Sequence, residues 1–159
     1  MKIFIDSSIF LKLFLDEVNA NKAQELLEAV ETNKLLGYTT PIVLEEIMFK
    51  LIFAKASDAL GTSSIWKIRK AILSKKKVKE ACITTINTFL DYVEYMTGRG
   101  LRIEHVTYED WRRSIEFIER YGLLPADALH LAVALRIKAD AIATFDEDFK
   151  RVKEVNIIP

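Results

Sequence analysis

The chain has 159 residues, enough for one well-filled core and short for two, so a single domain over residues 1–159 is expected. Half of the residues are hydrophobic, with five Gly and three Pro, which excludes a disordered or fibrous chain. Lys plus Arg and Asp plus Glu both number 23, so net charge says nothing for or against a polyanionic partner.

Residues Ile3–Ile5 are a short apolar run rich in β formers, as in a buried parallel strand, with Asp6 at its carboxyl end. Ser7 and Ser8 offer N-cap hydroxyls for a helix carried by Ile9, Phe10, Leu11, Leu13, Phe14 and Leu15. A second helix follows a turn at 16–21, with Ala23, Leu26, Leu27 and Val30 at spacings of three and four, and Gly37 marks its end. Tyr38 and Thr39 suit a second strand. Thr40 then Pro41 is a helix start, and the helix to about Ala56 carries Glu45 and Glu46 in its first two turns.

Residues 57–64 contain Gly61 and several hydroxyls and suggest a loop. Helices near 65–73 and 78–96 follow, closed by Gly98 and Gly100, so the middle of the chain, about 57–100, is an elaborated helical region. Arg102–Val106 is a candidate third strand. Thr107 caps a helix in which Trp111, Ile115, Ile118 and Tyr121 share an apolar face, ended by Gly122. Pro125 opens a helix through Leu135 that is apolar on nearly every side and therefore belongs inside the protein. Ala141–Thr144 and Val155–Ile158 complete the strands. Strands alternating with helices predict a three-layer α/β sandwich, a central parallel sheet flanked by helices.

The lone Cys82 excludes an internal disulfide and suits a small buried hydrophobe in a reducing compartment. No secretory leader pattern and no apolar run of roughly 18 residues is found, so a cytoplasmic location is expected.

Asp6 and Asp146 each follow a strand, and ligands of open parallel sheets bind beyond the carboxyl ends of strands. Glu45 or Glu46 and Asp127 lie at helix starts, which face the same rim. Taken singly, a first-turn acid is accounted for by the helix dipole, and a loop aspartate by turn capping. Together, about four like charges in one cleft repel unless some are protonated or a cation sits among them. An all-oxygen set selects a hard cation such as Mg²⁺ or Mn²⁺. His130, one turn beyond Asp127, suits a histidine hydrogen-bonded within or beside the core, and His105 a solvent-facing strand end. From Lys67 to Lys79 seven basic residues occur without an acid, with Trp66 beside them. Such a run is either a solvated face or a contact to a phosphate backbone, and Lys150, Arg151 and Lys153 are further candidates for substrate phosphates.

Four stretches in register, Ile5-Asp6-Ser7-Ser8, Thr40 to Ile47, Asp127 to Ala132 and Thr144 to Phe149, make the chain resemble the PIN-domain nucleases, in particular the VapC-like toxin ribonucleases. The resemblance implies a pocket binding Mg²⁺ or Mn²⁺ that hydrolyses RNA phosphodiester bonds, as the toxin of a type II toxin–antitoxin pair. It assigns the catalytic and metal positions to Asp6, Glu46, Asp127 and Asp146, with Asp148 an outer metal ligand and Ser8 and Thr144 supporting hydroxyls. It also implies RNA as substrate, a cognate antitoxin and a homodimer. Two other readings of the residues are a Mg²⁺-binding phosphoacceptor module, for which a strand-end lysine is lacking, and a non-catalytic interaction domain whose acids only cap helices.

Overall fold

A computed structural model describes all 159 residues. Five strands, β1 (Lys2–Ile5), β2 (Leu36–Thr39), β3 (Leu101–Ile103), β4 (Ala141–Ala143) and β5 (Asn156–Ile158), form one sheet in the order β3-β2-β1-β4-β5. Every pairing is parallel, with Phe4 opposite Tyr38 on one side and Ile142 on the other. Seven helices flank it: α1 (Ser7–Phe14), α2 (Ala20–Glu31), α3 (Pro41–Leu60), α4 (Ile65–Ser74), α5 (Lys76–Thr97), α6 (Tyr108–Tyr121) and α7 (Pro125–Arg136). This is the expected α/β sandwich with a parallel central sheet. The chain leaves β1 toward β2 on one side and returns through β4 on the other, so the strand order reverses beside β1 and a crevice opens there at the carboxyl ends.

The main core contains 29 buried residues from the sheet, α1, α2, α3, α5 and α7, together with Phe117 of α6 and Leu123, Phe149 and Val152 from the segments around α7 and β4. Ile3, Phe4, Ile5, Ala141, Ile142 and Ala143 are at most 1% exposed, as the continuous apolar strands require. Phe89 of α5 meets Phe10 and Phe14 of α1 edge-on at centroid distances of 6.1 and 5.3 Å. A smaller cluster of five residues, Ala56, Ile68, Ala71, Val78 and Cys82, holds α4 against α3 and α5. Cys82 is buried and its sulfur faces the Ile52 carbonyl, 3.8 Å away.

Several local expectations are revised. The α1 cap is Asp6, whose carboxylate accepts the Ser8 N–H, while Ser7 is already the first helical residue. Helix α3 runs a full turn beyond Ala56, because 57–60 contains no breaker and the chain turns only at Gly61, which takes the left-handed conformation (φ 61°). Gly37 lies inside β2, not after α2, where Cβ would come within 2.8 Å of Ile5 Cδ1. The third strand is only Leu101–Ile103, since residues 104–107 lead to the α6 cap. The α6 face of Trp111, Ile115 and Ile118 is turned outward (47, 55 and 36% exposed), and Asp110, Ser114 and Phe117 face inward. The apolar spacing was real, but an ion pair took the buried side.

That pair fixes the far end of α7. Arg136 Nε donates to both Asp110 oxygens (2.9 and 3.1 Å), while its other nitrogens reach Glu104 Oε1 (3.1 Å) and the His105 carbonyl (2.6 Å). Thr107 and Asp110 also form a reciprocal capping box. Where the helical middle rejoins the sheet, Gly100 packs against α2 so closely that an added Cβ would lie 2.1 Å from the Val30 carbonyl oxygen.

Candidate active site

Asp6 emerges from β1 into the crevice and is 4% exposed. Its Oδ2 accepts from the Ser8 hydroxyl (2.7 Å), the Thr144 hydroxyl (2.8 Å) and the Ser8 N–H (3.3 Å). Ser8 Oγ also accepts the Phe145 N–H and Thr144 Oγ1 the Asp146 N–H, both at 2.9 Å, so the loop after β4 is tied to α1 through these hydroxyls. Below them, the buried Thr39 hydroxyl donates to the Ile5 carbonyl and Thr40 caps α3.

Three elements bring ligating atoms together. Asp6, Glu46 and His130 each offer one such atom, all within 4.8 Å of one another. Glu46, not Glu45, faces the group: Glu45 is exposed and points away. Lys50, one turn on, donates to Glu46 Oε1 at 2.6 Å. His130 is 1% exposed on α7, beside the Phe4 ring (5.6 Å between centroids), with Nδ1 3.6 Å from Asp6 Oδ1. That is beyond hydrogen-bond length, and neither ring nitrogen has a partner. The expected histidine hydrogen-bonded in the core is thus corrected: the ring is buried but unsatisfied, and unpaired buried donors and acceptors are costly. Its one-turn spacing from Asp127 was the only sequence signal of this placement.

Asp127 sits half-buried in the first turn of α7. Burial, then repulsion from Asp6, Asp146 and Glu46, pushes its carboxyl up to about 6, with the nearby imidazole opposing. Burial also acts to raise Asp6, but His130 and the Ser8 and Thr144 hydroxyls outweigh it and hold that carboxyl at about 2. Neighbouring acids with opposite shifts make this rim the candidate site. Asp146 lies at the exposed edge, its Oδ1 accepting the Asp148 N–H at 2.8 Å. Asp148 itself is bound to Arg151 (2.7 Å), and Lys150 pairs with Glu147, so these cations are engaged locally. His105 is exposed beyond the end of β3.

These residues fit a cation. Carboxylates that repel one another converge on a buried imidazole without hydrogen bonds, and a positive ion would relieve the repulsion while giving the ring a partner.

A sequence model described as PIN domain matches residues 3–155. The chain belongs to the PIN-domain family. Within it, the chain is 32% identical to ribonuclease VapC2 of Methanocaldococcus jannaschii over 157 residues, covering 99% of this chain and 93% of that protein. It is 29% identical to ribonuclease VapC6 of the same organism over 156 residues, covering 98% and 95%. Its fold is similar to that of Mycobacterium tuberculosis VapC20, a sarcin-ricin loop cleaving toxin (TM-score 0.62, 20% identity, 99% of both chains). It is also similar to VapBC2 from Rickettsia felis, solved with a promoter DNA fragment (TM-score 0.60, 18% identity, 99% of this chain and 97% of that one). In this PIN domain, the crevice at the strand reversal is therefore the place to look for chemistry.

Proposed function

We propose that this PIN-domain chain is a divalent-metal-dependent endoribonuclease that hydrolyses RNA phosphodiester bonds, the toxin of a type II toxin–antitoxin pair. The observation that carries this reading is the convergence of Asp6, Glu46 and His130, with Asp127 beside them pushed up to about 6 by burial and like charge. The M. jannaschii relatives, both named ribonucleases and aligned over nearly their whole lengths, support the substrate class. The assigned residues are Asp6, Glu46, Asp127 and Asp146, with His130 added and Asp148 left to Arg151.

The ion is Mg²⁺ or Mn²⁺, in keeping with a donor set dominated by carboxylate oxygens. When bound, it supplies a lowered water pKa and charge stabilisation at the phosphorus and the leaving oxygen. The chain's own work is positional. Three hydrogen bonds on one Asp6 oxygen fix the carboxylate and leave Oδ1 turned to the pocket, and the buried α7 fixes Asp127. Lys50 holds the Glu46 carboxylate in place. Asp127 would help hold the ion, because a carboxyl pushed up to about 6 by burial and like charge is one whose ionised form a bound cation would favour.

A homodimer and an antitoxin complete the proposal. The outward apolar stripe on α6 supports self-association, more so than Phe10, which is buried. A fold neighbour described as a toxin–antitoxin complex from Klebsiella pneumoniae supports a protein partner. No helix is long and apolar enough to cross a membrane. The test is incubation of purified protein with structured RNAs in Mg²⁺, in Mn²⁺ and in chelator, wild type against Asp127→Asn. Cleavage confined to wild type with metal is expected. Cleavage in chelator, or undiminished in the variant, refutes the reading.

A further inference from the structure

The basic run at 67–79 is the strongest sequence feature that the acidic pocket does not absorb, and the fold gives it a shape. Helix α4 presents three faces, since its residues turn about 100° each. Ile68 and Ala71 face inward. On one flank Ile65, Ile72 and Leu73 join Phe49 and Phe53 in an apolar groove. On the other flank, Lys67, Lys70, Ser74 and Lys75 line a cleft closed by Gly61 and Thr62 of the preceding turn.

No acidic side chain lines that cleft. None of its three lysines pairs with a carboxylate, and Lys76 beside them lies 3.7 Å from Glu80, so three uncompensated positive charges gather in one cleft. On the outer ridge of α4 stands Trp66, 74% exposed. It lies four residues before Lys70 and therefore next to it on the helix surface. Arg69 and Lys70 stand one turn on from Trp66 along α4, and no acid occurs in that helix. Cations beside a free aromatic face are what unpaired nucleotides require: phosphates meet the ammonium groups, and a splayed base stacks on the ring. An acidic peptide would satisfy the lysines but leave the indole idle.

We propose that Trp66, Lys67, Lys70 and Lys75 form an RNA-docking site that grips unpaired, loop nucleotides away from the cleavage pocket. The path along α3 from Glu46 to its end at Leu60 is about 20 Å, so one structured RNA can occupy both places while a very short oligonucleotide cannot. The cleavage pocket is itself acidic and repels a polyanion. The remote cations supply the counterion release that the pocket lacks. This site deepens the ribonuclease reading and rests on it for its substrate.

The binding experiment runs in chelator, so that it does not depend on cleavage. In a Trp111→Phe background Trp66 is the only indole, and its fluorescence reports the site directly. The probes are a hairpin RNA with an unpaired loop, a blunt RNA duplex and polyglutamate. The hairpin is expected to quench Trp66 and bind tightest. Trp66→Ala, made in the native Trp111 protein and read by anisotropy, is expected to weaken the hairpin about tenfold. Replacing Lys67, Lys70 and Lys75 together by Ala should lower the slope of log K against log salt by about 2, at about 0.7 per single-strand phosphate, and replacement by Arg should restore it. These residues are exposed, and circular dichroism checks that the variants fold. An unchanged slope, or polyglutamate binding as well as the hairpin, overturns the site. Failure of wild type to cleave any RNA with Mn²⁺ refutes the ribonuclease reading instead, and the binding result stands apart from it.

Discussion

At the sheet rim, Asp6, Thr39, Thr40, His130 and Thr144 are each at most 4% exposed, whereas on α4 Trp66 is 74% exposed and its lysines stand in solvent. The rim rests on 29 buried residues and α4 on five. Asp6 is held by three hydrogen bonds, whereas no ion pair constrains the α4 lysines in the cleft. The contrast follows the work each region is proposed to do. Cleavage needs donors held to fractions of an ångström, and burial in a close-packed core supplies that. Capture of a polyanion depends on charge number more than on position, so mobile surface ammonium groups suffice.

The sharpest way to break this contrast is at its most constrained atom. Asp6→Asn is expected to lower RNA cleavage by about 10³-fold while leaving hairpin binding in chelator unchanged, since the amide keeps the shape but not the charge. Parallel losses of both would merge the two regions into one site. Next in size, Phe89→Ala should cost about 3–5 kcal/mol in urea unfolding, because Phe89 is fully buried between Phe10 and Phe14. Ile68→Ala, in the five-residue cluster, should cost about 2 kcal/mol, with hydrogen exchange increasing first in α4.

Thr144→Val should weaken Mn²⁺ binding about 10- to 100-fold, read as a smaller Mn²⁺-induced rise in Tm, since it removes one of the donors that orient Asp6. The smallest effect concerns pH. Burial acts to raise the Asp110 carboxyl, yet Arg136 and Thr107 hold it below its ordinary value. A carboxylate so lowered stabilises the fold above about pH 4, its unfolded value, and that contribution is lost as pH falls through the folded value. Asp110→Asn should therefore flatten the acid limb of the stability profile, measured by urea midpoints below about pH 4, relative to wild type.

Much of this was legible beforehand. The apolar triplets 3–5 and 141–143 required buried parallel strands, and the helix from Pro125 had to be internal because it offers no polar side. The acids at strand ends and helix starts foretold a crowded rim, because topology brings those ends together. What failed was mostly choice between partners. Helix geometry leaves Glu45 and Glu46, about 100° apart around α3, undecided, and the resemblance picks Glu46, the one that lies with Asp6 and His130. The α6 spacing marks the face of Trp111, Ile115 and Ile118, yet the buried one is that of Asp110, Ser114 and Phe117, held by the Arg136–Asp110 ion pair 26 residues apart in sequence. His130 looked like a core residue, and burial alone bears that out; its missing hydrogen bonds are a three-dimensional fact.

The contact between Gly100 and the Val30 carbonyl bears on heredity. The helical middle enters from β2 through the buried Thr40 cap and returns at a position that only glycine can fill, so both of its ends are anchored to the sheet's own framework. Between those anchors α3 and α5 carry Glu46 and main-core residues such as Ile47 and Phe89, but the stretch 61–79 carries neither, and its length and composition can drift at small entropic cost without moving the strands or the acids. A lineage of such proteins can therefore exchange what it captures while keeping what it cuts with, and Gly100 is where a comparison of relatives should find least variation.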